Sequence, residues 1–513
     1  MIRKAVYPAI QSPNMKESTE NLRFGTGTYL KFIPGERYNC KSRKEPHEGM
    51  KKIKKYIGYG IGAMGLDFSY AMFFSFLNKY LTDIALVPTG YLTIMTFAAR
   101  IWDGFNDPMM GAVVDSTKSR YGKYRPWLLI GAVSNAVVLA LLFWNPGFQI
   151  TAAGAGVGLC AYITVMYVLW DMTNTMVDIP YWSMVPQLTN DPKERNIAAT
   201  VPRAFSGLGQ VVVTMAAPIM IPLLGRTEGF NAVGFQRFAL ICSVGLIAMV
   251  LITFFSSRKI KEIAESTEPT YKVTFQSVVQ TLKGNDQLLV FMLTALLLNT
   301  GWYMVSGLAA YYFEDVMGKL NMMTLFGMLT GAGQAAGLIL LPVLTKWMRR
   351  NTVIKIAMGM AAAGYLAMYF FSAVVNIFPL FIACGFVCMM GVGCSFVSQT
   401  VMLSDIVDYG EAKQGYRADS VVFSMKGFLQ KGAYSIQSLI MFLGLSITGY
   451  QGELNVQPAT AKTGITVMMF ILPPIFALAA LALFSSKYKL NEERMQEVYA
   501  QLDVQKPLKE SIE

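Results

Sequence analysis

Residues 235–256 read FQRFALICSVGLIAMVLITFFS, and the sixteen residues that follow, 257–272, read SRKIKEIAESTEPTYK. The first stretch carries one charge, Arg237, in 22 residues. At about 1.5 Å per residue, a helix of that length spans the roughly 30 Å hydrocarbon core of a bilayer. The second stretch is polar and basic and cannot enter one. Working outward, five further apolar runs precede this pair, at roughly 56–80, 89–115, 126–145, 151–186 and 203–225. Six follow it, at roughly 288–313, 322–348, 353–374, 377–403, 420–449 and 464–486. In the long fourth run, Pro180 is expected to kink or end the regular helix, because proline lacks a backbone donor and crowds the preceding turn. The predicted fold is all-α, with twelve transmembrane helices in two six-helix halves, 50–256 and 287–490. A central cytoplasmic loop, 257–286, joins them, and a cytoplasmic tail, 491–513, ends the chain.

Composition excludes most alternatives. Of 513 residues, 54% are hydrophobic and 15% charged, with a mean hydropathy of +0.41. Soluble domains carry closer to a quarter charged residues. The net charge of +12 lies between the apolar runs, so it argues for cytoplasmic loops and against a nucleic-acid partner. Lys118, Arg120, Lys123 and Arg125 fill the 115–125 connection, and Lys346, Arg349 and Arg350 follow the eighth run. The connections NPGFQI (145–150) and VVNIF (374–378) carry no charge. The positive-inside rule then places both termini in the cytoplasm of a cell whose inner (plasma) membrane the chain crosses many times. Residues 1–49 are polar and lack an apolar run, so they are neither a signal peptide nor a span. They read either as a disordered cytoplasmic leader or as residues ahead of a natural start at Met50, the second being the preferred reading.

Cys160, Cys242, Cys384, Cys388 and Cys394 lie inside apolar runs, Cys40 lies in the leader, and His47 is the only histidine. The cysteines read as small buried apolar side chains, which leaves no transition-metal set and no histidine-based triad. No GxxxxGK[ST] occurs, which argues against an ATP-driven pump. Neither an enzyme nor an organic cofactor is expected.

Charges inside the apolar runs require a reason, since an Asp at a helix centre costs about 2.5–3.5 kcal/mol even on the insertion scale. Asp67 lies in the first run, Arg100, Asp103 and Asp107 in the second, Asp171 and Asp178 in the fourth, Arg203 in the fifth and Lys431 in the eleventh. Asp103 and Asp107 share a helix face, four residues apart. Two carboxylates about 6 Å apart repel by roughly 3 kcal/mol at an effective dielectric near 20, so the pair must bind a cation, share a proton or pair with Arg100. Asp171, Thr175 and Asp178 share another face. Converging carboxylate and hydroxyl oxygens suit a hard cation such as Na⁺. A purely structural charge network is the alternative. It leaves five acids against Arg100 and Arg203, a negative surplus that a cation-coupled transporter requires.

Four segments, RIWDGFNDPMMG (100–111), SRYGKYRPW (119–127), DIPYWSMVP (178–186) and DIVDYGEAK (405–413), resemble the glycoside–pentoside–hexuronide:cation symporters of the major facilitator superfamily. The resemblance runs from about residue 52 to 490. It implies a cation site of Asp103, Asp107, Thr175 and Asn106. It also implies a sugar site of Asp67, Asp178, Arg203 and Trp182, with Lys431 as a functionally sensitive lysine and the 115–125 segment as an inner gating loop opposite Asp405, Asp408 and Glu411. Trp182 otherwise reads as an interfacial aromatic, and Lys431 as the partner of a nearby acid. Two positions depart from the pattern: Leu66 stands where the nearest member carries a Lys, and Asp171 is an additional acid. The function implied is import of a melibiose-like galactoside or related sugar with Na⁺, Li⁺ or H⁺. The alternative is a cation-coupled transporter of a non-sugar substrate such as a lysolipid.

Overall fold

The computed structural model describes residues 46–510 apart from 118, 152–153, 189–191, 258–274, 376, 416–418 and 455. Most of the expected leader and most of the central loop therefore lie outside the described residues. Residues 52–513 form one compact unit, and among the described residues twelve long helical rods follow one another along the chain. The first is Pro46–Ala71, prolonged through Met72–Phe76 and Leu77–Lys79 to Tyr80–Ile84. The second to sixth are Thr89–Ser116, Arg125–Leu142, Val157–Met184, Pro192–Gly225 and Ala232–Ser256. The seventh is Asp286–Tyr311 with Tyr312–Val316, the eighth Asn321–Leu344, and the ninth Arg350–Tyr369 with Phe370–Val374. The tenth is Phe378–Gln414, the eleventh Asp419–Ile447, and the twelfth Ala459–Phe470 followed by Leu472–Lys487.

Nine rods are long and apolar enough to cross a membrane among the described residues. The second, fourth and eleventh fall outside that set, and these carry Asp103 and Asp107, Asp171 and Asp178, and Lys431. Polar residues lower the hydropathy of the rods that build the interior. Large apolar side chains such as Ile94, Leu223, Ile339 and Ile447 stand exposed, as lipid-facing residues of a bundle must.

The structure adds detail at three points. Pro180 lies inside the fourth helix, which runs on to Met184; in a packed bundle, neighbouring groups satisfy the carbonyl that proline frees. That helix starts at Val157, because Ile150–Thr151 pairs antiparallel with Gly154–Ala155 just before it. The central loop contains a helix, Phe275–Gly284, and the tail is the helix Glu492–Glu510. Met495 and Val498 of that tail helix are buried in a cluster with Leu288, Ile354 and Leu403, so its apolar face docks on the second half.

In the first half, the third rod packs on the fourth and sixth, and the fifth on the sixth. In the second half, the eighth and ninth pack on the tenth, and the seventh on the eleventh and twelfth. The halves meet along the first and seventh rods, the second and eleventh, and the fifth and eighth.

A closed polar network ties the first, third and fourth rods. Ser69 Oγ donates to Asn135 Oδ1 at 2.7 Å, and Trp170 Nε1 donates to Ser69 Oγ at 3.0 Å. Asn135 Nδ2 donates to Trp170 O and Thr173 Oγ1, both at 3.3 Å. Asn135→Leu strands these partners in a dehydrated core and should destabilise the fold by about 1–2 kcal/mol. A drop of several degrees in Tm in detergent checks this.

Candidate functional site

Helical spacing fixes the first group of site residues. Asp103, Asn106 and Asp107 lie on one face of the second helix, and Asp171 and Thr175 on the facing side of the fourth. Thr175 Oγ1 donates to Asp107 Oδ1 at 3.1 Å. Asn106 Nδ2 donates to Thr175 Oγ1 at 3.1 Å and to Asp171 Oδ2 at 3.4 Å. Asp103, Asn106, Asp171 and Thr175 are all buried. Commitment of the Asn106 amide nitrogen leaves its Oδ1 as an acceptor, so carboxylate, hydroxyl and amide oxygens gather in one place. The additional acid Asp171 therefore belongs to this group. The Arg100 side chain lies outside the described residues.

Lys431 reaches this group from the other half: its Nζ lies 2.5 Å from Asp107 Oδ2. The resemblance placed Lys431 with the sugar residues. The structure sets it on Asp107, with Asp178 within electrostatic range, so it stands between the two groups.

The second group spans the first, fourth and fifth helices. Trp182 Nε1 donates to Asp178 Oδ1 at 2.9 Å, an i, i+4 bond along the fourth helix. Arg203 lies over the indole, its Cζ 3.8 Å from the ring centroid, a cation–π contact that covers one aromatic face. Asp67 bonds the side chain of Ser206 and lies within electrostatic range of Asp178 and Arg203. A close approach makes this possible: a Cβ on Gly209 would lie 2.5 Å from Met64 O and 3.1 Å from Asp67 Cβ. Only glycine lets the fifth helix come so near the first.

Three members of the site had no motif to announce them. Tyr70 accepts a hydrogen bond from Asn174 Nδ2 at 2.9 Å and lies within electrostatic range of Asp67, Asp107 and Asp178, which joins the two groups. Ser206 is the third. Tyr70 follows Asp67 by three residues, Asn174 follows Asp171 by three, and Ser206 follows Arg203 by three, so helical spacing from each charge would have found them. At the far end of the second half, Asp405 pairs with Arg350 and Lys413 with Asp286 at 2.6 Å, both within that half.

Residues 58–492 match the family described as MFS/sugar transport protein. The chain belongs to it. This family consists of transporters, so the protein is a multi-pass membrane transporter and not an enzyme. Among individual relatives, the chain is 29% identical to an isoprimeverose transporter of Lactiplantibacillus pentosus, over 88% of this chain and 91% of that one. It is 28% identical to the raffinose carrier protein of Pediococcus pentosaceus, over 88% of this chain and 72% of the carrier. The fold is similar to an inward-facing crystal structure of a bacterial homologue of the lysosomal transporter Spinster. The TM-score is 0.61 at 10% identity, over 86% of this chain and 96% of that one.

Gly209→Ala tests how the second group is assembled. The added Cβ pushes the fifth helix away from Met64 and carries Arg203 and Ser206 away from Asp67, so a ligand held by this group should bind roughly tenfold more weakly. A ligand held by the second and fourth helices should be little affected. Direct binding measurements of each ligand separate the two effects.

Proposed function

We propose that this transporter imports a glycoside, of the melibiose-like galactoside type, together with Na⁺, and that the two ligands occupy the two groups described above. The observation that carries the reading is the division of the buried polar residues into an oxygen-rich cluster and a carboxylate–guanidinium–indole cluster joined by Tyr70. Asp103, Asn106, Asp107 and Thr175 offer hard oxygen donors, the ligand type that suits Na⁺. Asp67, Asp178 and Arg203 offer charge-assisted bidentate partners for vicinal hydroxyls, and Trp182 an aromatic face for the apolar side of a pyranose. The relatives named for raffinose and isoprimeverose support a glycoside. A lysolipid would favour a broad apolar groove, and the concentrated charge beside Asp178 argues against one.

Lys431 adds a step to the cycle. Its ammonium sits on the carboxylate that would ligate the ion, and the Asp107 side chain keeps 37% of its surface open. An arriving cation can therefore reach Asp107 and displace Lys431. Because Lys431 belongs to the second half and Asp107 to the first, that exchange changes an interaction between the halves, which is what coupling needs. Cytoplasmic termini follow from the loop charges, and import follows from an inward Na⁺ gradient driving the coupled solute.

Asp107→Asn should abolish Na⁺-driven accumulation while leaving measurable sugar binding. Asp178→Ala should weaken sugar binding by about 1.5–3 kcal/mol, the range for a lost hydrogen bond to a charged group, with cation binding preserved. Uptake of a labelled α-galactoside panel into vesicles, with and without a Na⁺ gradient, measures both. Full Na⁺-driven accumulation by Asp107→Asn would remove the residue from coupling, and unchanged sugar affinity in Asp178→Ala would return that residue to a structural role.

A further inference from the structure

A second charge cluster lies at the end of the bundle opposite the termini, well away from the site. Lys79, 1% exposed, reaches Asp83 at 2.5 Å, Glu314 at 3.2 Å and Asp315. Tyr450 Oη donates to Asp83 at 2.8 Å and to Asp315 at 3.0 Å, and accepts from Lys79 at 3.1 Å. Thr82 Oγ1 and Tyr311 Oη lie 2.9 Å apart, and the backbone N–H of Phe230 donates to Glu314 Oε1 at 3.1 Å. Every one of these contacts except Lys79–Asp83 and Tyr450–Asp315 joins one half to the other.

The placement repeats between the halves. The first rod ends in the five-residue π-helical segment Tyr80–Ile84, YLTDI, and the seventh in Tyr312–Val316, YFEDV. Asp83 and Asp315 are the fourth residue of each. Equivalent acids thus face each other where the two halves meet. The carboxylates of Asp83, Glu314 and Asp315 gather within 4.8 Å, and like charges so close repel. The Lys79 ammonium in their midst supplies the positive charge that holds them there. The connection after the eleventh rod presses on the same point: a Cβ on Gly452 would lie 2.1 Å from Thr82 O.

We propose that this cluster is the latch that closes the bundle at the end opposite the termini, and that it opens whenever the central site is presented to that side. The chemistry makes the latch reversible. Asp83 is four residues from Lys79 on the same helix, so Lys79 keeps a partner when the halves separate. Glu314 and Asp315 depart with the second half into water, where their hydration replaces the lost bonds. No charge is left dry and unpaired in either state, unlike a permanently buried pair. The proposal rests on the transporter family alone and holds whichever solute and ion are carried.

The test is a distance measurement without substrate. Spin labels go at Val157→Cys and Val456→Cys, exposed positions of the first and second halves at the latched end, in a background whose accessible native cysteines are replaced. Glu314→Gln/Asp315→Asn removes the cross-half charge and leaves Lys79 with Asp83. Loss of even one charge-assisted bond at this junction should raise the population of the longer distance by about tenfold or more. Tyr450→Phe, which deletes only a hydroxyl, gives the same reading if the double variant fails to reach the membrane. A distance distribution identical to the parent, in whichever variant folds, overturns the proposal. Because no sugar or Na⁺ is present, a failure here is distinct from a failure of the proposed function.

Discussion

A charge buried in a helical bundle has to find partners on its own helix or on a neighbouring one, because lipid cannot solvate it. In this protein that requirement determines which rods meet. Asp107 of the second helix is held by Thr175 of the fourth and Lys431 of the eleventh. Asp67 of the first helix finds Ser206 of the fifth, and Lys79 of the first finds Glu314 and Asp315 of the seventh. Apolar packing fills the space between rods, but the ionic contacts set which faces point inward.

The same requirement separates static contacts from movable ones. The Ser69–Asn135–Thr173–Trp170 network lies wholly within the first half and survives any motion of one half against the other. Lys431–Asp107 and the Lys79 cluster cross between halves, so each has to break and re-form if the halves rock. Both are built so that the break is tolerable. Under the proposed function Asp107 exchanges an ammonium for a small cation, and Lys79 retains Asp83 on its own helix.

Backbone detail serves the same end. Gly209 brings the fifth helix against the first at Asp67, and Gly452 brings the connection after the eleventh rod against Thr82. The π-helical ends of the first and seventh rods turn their acidic residues toward the junction, in keeping with the frequent appearance of such turns at functional positions. The price of the polar interior is visible in the second, fourth and eleventh rods, which are absent from the set apolar enough to cross a membrane among the described residues. They are held by neighbours more than by lipid.

Twelve rods, their order and the carboxylate-rich second and fourth helices were legible in the sequence, because hydropathy runs and i, i+4 spacing are local properties that any helix of that composition obeys. The four motifs carried the family. Local pattern was less informative at two points: the fourth helix continues past Pro180 to Met184, and the tail forms a helix whose Met495 and Val498 are buried against the second half. The partners lay beyond reach. That Lys431 rests on Asp107, that Arg203 covers Trp182, and that Lys79 gathers three acids from two halves depends on residues up to 324 positions apart. Sequence spacing fixes the face a charge occupies on its own helix. Which helix stands opposite that face is decided only when the bundle packs.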